Sequence, residues 1–324
     1  MKNYKKYIAA VLAVSLSVSI LTGCGDVRET PQIQIAFIAK SMTSNFWKTI
    51  QSGVNTAASE YNVNVTFEGP DNEEDYEEQN RLIGEAIDRQ VDAIVLSAID
   101  SKKLVEQVEK ASDQGIRIVI VDSGIDSNRV ESEISTDNYM AGELAAKAVL
   151  ENKAETLNIG IVNFDVNSAN GQQRQEGFTE EVEKDARTNI AYTVNVDSNI
   201  TSASDATKTM LQEHPEINVI ATFNEWTTLG VGYAIQELNK QDHIQVIGFD
   251  NNIVSIGMLE TGEMDGLIVQ NPYAMGYIGV ETAYNLIKGN KTEKQVYTDT
   301  TFVTKDNMYD AETQKILFPL DSSE

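Results

Sequence analysis

One pattern governs what this chain can fold into: the same strand–helix–strand series is written twice. Val91-Asp92-Ala93-Ile94-Val95-Leu96 leads through a helical stretch to Ile118-Val119-Ile120-Val121-Asp122. Ile217-Asn218-Val219-Ile220-Ala221-Thr222 leads through another to Gln245-Val246-Ile247-Gly248-Phe249-Asp250. The apolar runs of the first half lie at 33–38, 63–67, 93–96 and 116–121, and those of the second at 157–162, 190–194, 219–222, 244–247 and 266–269. They lack clean period-two alternation, as parallel strands covered on both faces do. Between them apolar residues recur at helical spacing, as in Ile50, Val54, Ala57, Ala58 and Tyr61, or in Leu104, Val105, Val108 and Ala111 before Gly115. Such βαβα alternation dictates parallel sheets with right-handed crossovers. The fold class is therefore α/β, two doubly wound parallel-sheet lobes. Each half ends an equivalent strand on an aspartate, Asp122 or Asp250, and ligands of doubly wound sheets bind beyond the carboxyl ends of the strands. Opposed lobes would bring both aspartates to one crevice.

The N-terminus stands outside this alternation. Lys2, Lys5 and Lys6 precede an apolar stretch at 7–21, and small residues then lead into Cys24. That order is a secretory signal. No later stretch reaches the ~20 apolar residues of a spanning helix. Cys24 is the only cysteine, and Leu21-Thr22-Gly23-Cys24 resembles the lipobox of bacterial lipoproteins, in which the cysteine is acylated. The reading is a signal peptide at 1–23, a lipid-anchored linker at 24–31, and export to the outer face of the cell membrane or the periplasm. Loss of the three signal lysines takes the net charge from −25 to −28. A surface that acidic repels phosphate backbones, so nucleic acid is a poor partner. The remaining length exceeds one ordinary core and suggests two domains.

Motifs for covalent or cofactor chemistry fail. There is no phosphate loop and no dinucleotide glycine fingerprint; Gly230 and Gly232 suit a helix packing point. His214 and His243, the only histidines, have no neighbours for a nucleophilic triad or a zinc site. Asp165, Asn167 and Glu176 match three positions of a calcium loop, but Ala169 and Asn170 stand where a ligand and a glycine are needed. The acidic run 71–78 reads as a solvated loop and helix start. The chain reads as no enzyme, without metal or cofactor. What remains is hydrogen-bonding and aromatic residues at strand ends and helix starts, the chemistry sugars demand: carboxylates accept from hydroxyls, amides do both, Arg donates, and rings cover C–H faces. Each candidate also has a plainer role. Phe46 and Trp47 suit a core, Asp122 and Asp250 suit helix caps, and Arg174, on spacing, suits a surface.

These residues also carry a family pattern. Asn45-Phe46-Trp47, Val121-Asp122-Ser123, Ser135-Thr136-Asp137-Asn138, Arg174-Gln175-Glu176-Gly177-Phe178, Phe223-Asn224-Glu225, Val246-Ile247-Gly248-Phe249-Asp250 and Val269-Gln270-Asn271-Pro272 occur in order. With them, the chain from about 33 to 303 resembles the ribose-type periplasmic sugar-binding proteins of ABC importers. The resemblance implies a type I periplasmic-binding-protein fold with a three-crossing hinge, near Thr136-Asp137, Gln270-Asn271 and Phe302-Val303. It places an N-terminal lobe at 32–136 plus 271–302 and a C-terminal lobe at 137–270 plus 303–324. It implies ring stacking by Phe46 and Trp47 and hydroxyl binding by Asp122, Arg174, Asn224, Asp250 and Gln270. Ser123 and Ser97 stand at ligand positions where a ribose binder has arginine and asparagine, Ser44 replaces another asparagine, and a stacking aromatic is missing near Ser198. These departures leave the sugar open, pentose or hexose. The implied partners are a small neutral sugar and ABC permease subunits, with the protein a monomer that meets the membrane only through its anchor. The alternative is a sensory protein presenting its loaded form to a chemoreceptor or sensor kinase.

Overall fold

The computed structural model describes residues 32–318. The signal, the linker and Cys24 lie outside the described residues.

The chain runs β1 (Gln34–Ile38), α1 (Asn45–Glu60), β2 (Asn64–Glu68), α2 (Tyr76–Asp88), β3 (Ala93–Leu96), α3 (Val105–Asp113), β4 (Arg117–Val121) and β5 (Ser132–Thr136). It then repeats the alternation in α4 (Asn138–Leu150), β6 (Leu157–Asn163), α5 (Ala169–Val182), β7 (Thr188–Asn195), α6 (Ile200–Glu213), β8 (Val219–Thr222), α7 (Glu225–Leu238), β9 (Gln245–Phe249), α8 (Ile253–Thr261) and β10 (Gly266–Val269). It closes with α9 (Pro272–Ile287), β11 (Gln295–Thr298), β12 (Thr301–Val303) and α10 (Ala311–Leu317).

Two six-stranded sheets result, in the orders β11-β5-β4-β3-β1-β2 and β12-β10-β9-β8-β6-β7. Replacing β1 to β5 by β6 to β10 turns one order into the other, so the repeat seen in the sequence is a repeat in space. Each sheet reverses its winding beside its first strand, the point where doubly wound folds open a crevice. All strand pairs are parallel except β10 with β12.

Alternate residues of each strand feed opposite faces, which the period-two geometry requires. Ile35, Phe37, Val95, Val119 and Val121 pack under α1 and α9, while Ala36, Ile38, Ile94, Leu96, Ile118 and Ile120 pack under α2 and α3. The second sheet divides likewise. Leu317 enters its core with Ile316 and Phe318 beside it, so the apolar patch of the tail packs on a lobe. Gly230 and Gly232 abut Ala203 and Met258, where added methyl groups would collide.

The chain passes between sheets at Thr136-Asp137, at Gln270-Asn271, and between Thr298 and Thr301. Phe302 therefore belongs to the second sheet, opposite Ile268. The first two passages each run straight into a helix start. Asp137 accepts from Met140 N at 3.0 Å and Asn271 from Ala274 N at 3.1 Å, so each passage ends in a side-chain cap. The helices they start, α4 and α9, lie against α5 and α1, and glycines set the contact. A methyl group on Gly142 or Gly177 would land on the carbonyl of Arg174 or Tyr139; one on Gly53 or Gly276 would land on that of Tyr273 or Ile50.

Candidate functional site

The carboxyl ends of the strands of both sheets meet in one cleft. Lys40 follows β1, Asp122 follows β4, Phe164 follows β6, Asn224 follows β8, Asp250 follows β9 and Gln270 follows β10. With Phe46 and Trp47 from the first turn of α1, Asn170 and Arg174 from α5, and Glu73, Glu225 and Trp226, they line a narrow cavity of about 20 Å³.

Asp122 and Asp250 end their strands in the left-handed region, at φ of 59° and 65°. Aspartate tolerates this conformation better than most residues, though at a cost. Neither caps a helix. The cap after Asp250 is Asn252, which accepts from Val254 N and Ser255 N. The left-handed turn instead sends both carboxylates into the cleft.

Arg174 organises the second lobe's side. Only 1% exposed, it donates from Nε to Asn138 Oδ1 at 2.9 Å, from Nη1 to the Phe223 carbonyl at 2.7 Å and from Nη2 to Gln270 Oε1 at 2.7 Å. The surface role that spacing suggests is thus overturned, because Gly177 and Phe178 turn this stretch of α5 inward. Gln270 also accepts from Thr136 Oγ1 at 2.7 Å and donates from Nε2 to Asp250 Oδ1 at 2.6 Å. Two interlobe passages and two site residues therefore share one hydrogen-bond network. Asp122 accepts from Asn170 Nδ2 at 3.0 Å across the cleft and from Ser97 Oγ at 2.9 Å.

Burial dominates the electrostatics. It pushes the Asp250 carboxyl up from an ordinary 3.8 to about 7, although Arg174 and the Gln270 amide favour its ionised form. Burial also pulls the Lys40 ammonium and the Arg174 guanidinium down, against the pull of Asp122 on both. The Glu225 carboxyl is raised by burial, while donors from Asn252, Phe46 and Asn45 act to lower it.

The structure gathers Phe46, Trp47, Asp122, Arg174, Asn224, Asp250 and Gln270 on this cavity. Trp47 is 1% exposed and also belongs to the first lobe's core, and the partly buried Phe46 ring stands perpendicular to it with 5.1 Å between centroids. Asn224 uses its Oδ1 to cap α7, accepting from Thr227 N at 2.9 Å, while its Nδ2 donates to Ser198 Oγ at 2.6 Å. Ser97 and Ser123 are fully buried behind Asp122 and stand outside the lining.

Sequence reasoning missed Lys40, Asn170, Glu225 and Trp226, and it took Glu73 and Glu74 for solvated residues. Glu73 in fact accepts from Trp47 Nε1 at 2.8 Å and, across the cleft, from Ser198 Oγ at 2.9 Å; Glu74 accepts from Ser198 N. Lys40 reaches Ser168 Oγ at 2.5 Å. The strand-end rule, applied to β1, points to Lys40. Nothing local points to Glu73.

Comparison with known proteins agrees with this geometry. Residues 35–291 match the model of a periplasmic binding protein domain. The D-allose-binding periplasmic protein of Escherichia coli K12 is 25% identical over 300 residues, 90% of this chain and 94% of that one. The ribose import binding protein of Bacillus subtilis 168 is 23% identical over 304 residues, 90% of this chain and 96% of that one. A carbohydrate transporter solute binding protein from Agrobacterium radiobacter, crystallised with D-arabinose, is 30% identical, with a TM-score of 0.86 over 89% of this chain and 99% of that one.

Proposed function

We propose, because this chain belongs to the periplasmic binding protein family, that it captures a small neutral sugar between its lobes and delivers it to an ABC importer. It binds a solute and does not transform one. The observation that carries this reading is the convergence of Asp122, Arg174, Asp250 and Gln270 beside the Phe46 ring on one buried cavity. Carboxylates and amides there suit a ring of hydroxyls, and the aromatic face suits its C–H side. Ser97 orients Asp122 from behind. Relatives that bind allose, ribose and arabinose support a pentose or hexose for this chain.

Ligand binding drives closure. Asp122 and Asp250 belong to different sheets, so one small molecule touches both only when the cleft is shut. The three passages between sheets serve as the hinge, with 32–136 and the α9–β11 segment moving as one lobe and the rest as the other. Closure follows from higher affinity for the shut form, since equal affinity would shift nothing.

We further propose that the exported protein is monomeric and held at the membrane through acylated Cys24. Among the described residues no helix is long and apolar enough to cross a membrane. Intact mass of membrane-extracted protein tests the anchor: a diacylglyceryl-modified Cys24 at the new N-terminus is expected, and a free Cys24 refutes it.

A thermal-shift screen over neutral monosaccharides, followed by calorimetry, tests the function. At least one pentose or hexose should bind with Kd near ~1 μM, about −8 kcal/mol. Failure of every neutral sugar would overturn the reading.

A further inference from the structure

The first turn of α1 is completed from the other lobe. A helix begins with N–H groups that have no partner in the helix itself. Ser44, the cap of α1, accepts from Trp47 N at 3.3 Å and so serves the third of them. The first and second belong to Asn45 and Phe46. Both donate across the cleft to Glu225, at 3.3 Å to Oε1 and 3.1 Å to Oε2. Glu225 starts α7 in the opposite lobe and is only 6% exposed.

Its carboxylate is held ready for this. Asn252 Nδ2 donates to Oε1 at 2.9 Å, and Asn252 is itself fixed as the cap of α8. The neighbouring Asn251 carbonyl accepts from Asn45 Nδ2 at 3.2 Å, a further link to the same turn of α1. Three consecutive residues thus have three jobs: Asp250 faces the cavity, Asn251 meets α1, and Asn252 aims Glu225. The opposite lobe makes the reciprocal contact, with Glu74 accepting from Ser198 N and Glu73 from Ser198 Oγ.

We infer that Glu225 is the latch of the closed form, a positioning residue whose carboxylate caps α1 only when the lobes meet. When the lobes part, the Asn45 and Phe46 N–H groups must turn to water and Glu225 loses two donors aligned with the positive end of the helix. Glu225 lines the cavity, but its two oxygens are engaged by these backbone donors and by Asn252, so the latch acts on closure and not on which sugar lies inside. It also steadies Phe46, whose own N–H it holds. Glu225 strengthens binding by slowing reopening, and it populates the closed form without ligand. This rests on the sugar-binding reading for its kinetic test alone.

Trp47 and Trp226 are the only tryptophans and both line the cleft, so their fluorescence reports its opening. Stopped-flow traces of mature protein with D-ribose and with D-allose give the rates. Glu225→Gln keeps the volume and loses the charge. It should raise koff about tenfold for each sugar and leave kon within about twofold, the pattern of a lost charge-assisted contact in the bound state. A loss that differs between the two sugars by more than about tenfold, or one confined to kon, makes Glu225 a ligand contact and overturns the latch. Small-angle scattering of ligand-free protein provides the second measurement. Glu225→Gln, with an unchanged melting temperature, should have a larger radius of gyration than the wild type. Equal radii overturn the latch even if neither sugar binds, whereas a larger radius without sugar binding supports it and counts against the proposed function alone.

Discussion

The two lobes share a plan and bring different chemistry to the cleft. Each ends its fourth strand on a left-handed aspartate, and each presses a glycine-spaced pair of helices together behind the site. In the first lobe that pair is α1 and α9, and α1 offers the cleft its end: Phe46, Trp47 and two backbone N–H groups. In the second the pair is α4 and α5, and α5 offers its flank, from which the Arg174 side chain spreads into the hinge network. A helix end gives donors fixed by the backbone, whereas a flank gives a long side chain that must be held by others. The first lobe should therefore tolerate side-chain replacement better than the second.

The sharpest way to break this contrast is at Arg174. Arg174→Met strands Asn138 Oδ1 and the Phe223 carbonyl, leaves Gln270 Oε1 with Thr136 Oγ1 as its one donor, and leaves Asp122 and Asp250 without a nearby guanidinium. Stability should fall by about 3–5 kcal/mol, as when one partner of a buried charged network is removed. Sugar binding should become undetectable by calorimetry. Trp47→Phe in the first lobe keeps most of the core contact, loses only the bond to Glu73, and should lower affinity by less than about tenfold. Equal losses at the two positions would end the distinction.

Asp250 comes next. Asp250→Ala should weaken binding about a hundredfold, the loss of two charge-assisted bonds to hydroxyls. Asp250→Asn should weaken binding as well, yet stabilise the ligand-free protein. Displacing the carboxyl from 3.8 to about 7 costs the ionised form on the order of 4 kcal/mol. The sign follows from linkage. A carboxyl raised in the native state weakens folding as pH climbs from its unfolded value through its folded one, and the deficit is level above that. The melting advantage of Asp250→Asn should be small at pH 4, grow up to about pH 7 and then stay constant. A thermal melt series checks this; an advantage that does not change with pH would refute it.

The same carboxyl sets a pH dependence of binding. Hydroxyl donors require the ionised form, so affinity should rise about tenfold from pH 6 to pH 8 and flatten above that, and Asp250→Asn should remove the slope. Titration calorimetry at fixed ionic strength decides it.

The smallest effect compares the helix pairs. Gly142→Ala and Gly53→Ala each force a methyl group onto a carbonyl of the facing helix, so both should destabilise by about 1–3 kcal/mol in urea titrations. Gly142→Ala pushes on Arg174 itself and should also lower affinity about fivefold more than Gly53→Ala does.

Much of this was readable in the residues. Strands such as Ala93–Leu96 and Val219–Thr222 announce themselves because parallel strands buried on both faces must be apolar throughout. β5 (Ser-Glu-Ile-Ser-Thr) escaped as a strand because only Ile134 interrupts its polar run, and the short edge strands β11 and β12 escaped with it. At the site, Asp122 and Asp250 were found because a strand end is a local event. Whether they capped helices or faced the cleft was not readable, since the answer lies in a backbone dihedral. Glu73 and Glu225 were hidden for a different reason. Their partners, Ser198 and the first turn of α1, lie about 125 and 180 residues away in the chain, and no local pattern encodes a contact made only when two lobes meet.

The left-handed turns at Asp122 and Asp250 bear on how this pocket can change over evolutionary time or in the hands of an engineer. A φ near 60° excludes β-branched and bulky residues for reasons of backbone sterics, whatever the ligand asks for. The favoured alphabet at each position is aspartate, asparagine or glycine, with glutamine tolerated as at Gln90, whose φ is 53°. Of these only aspartate keeps an acceptor without a donor, so under the proposed function these two positions are the constrained ones while the rest of the lining stays free to vary. Altered specificity should arise at neighbours with ordinary backbone, such as Phe164, Asn170 and Glu73, and a library spread over those positions should yield new binders where one spread over the two aspartates yields unfolded or inert protein.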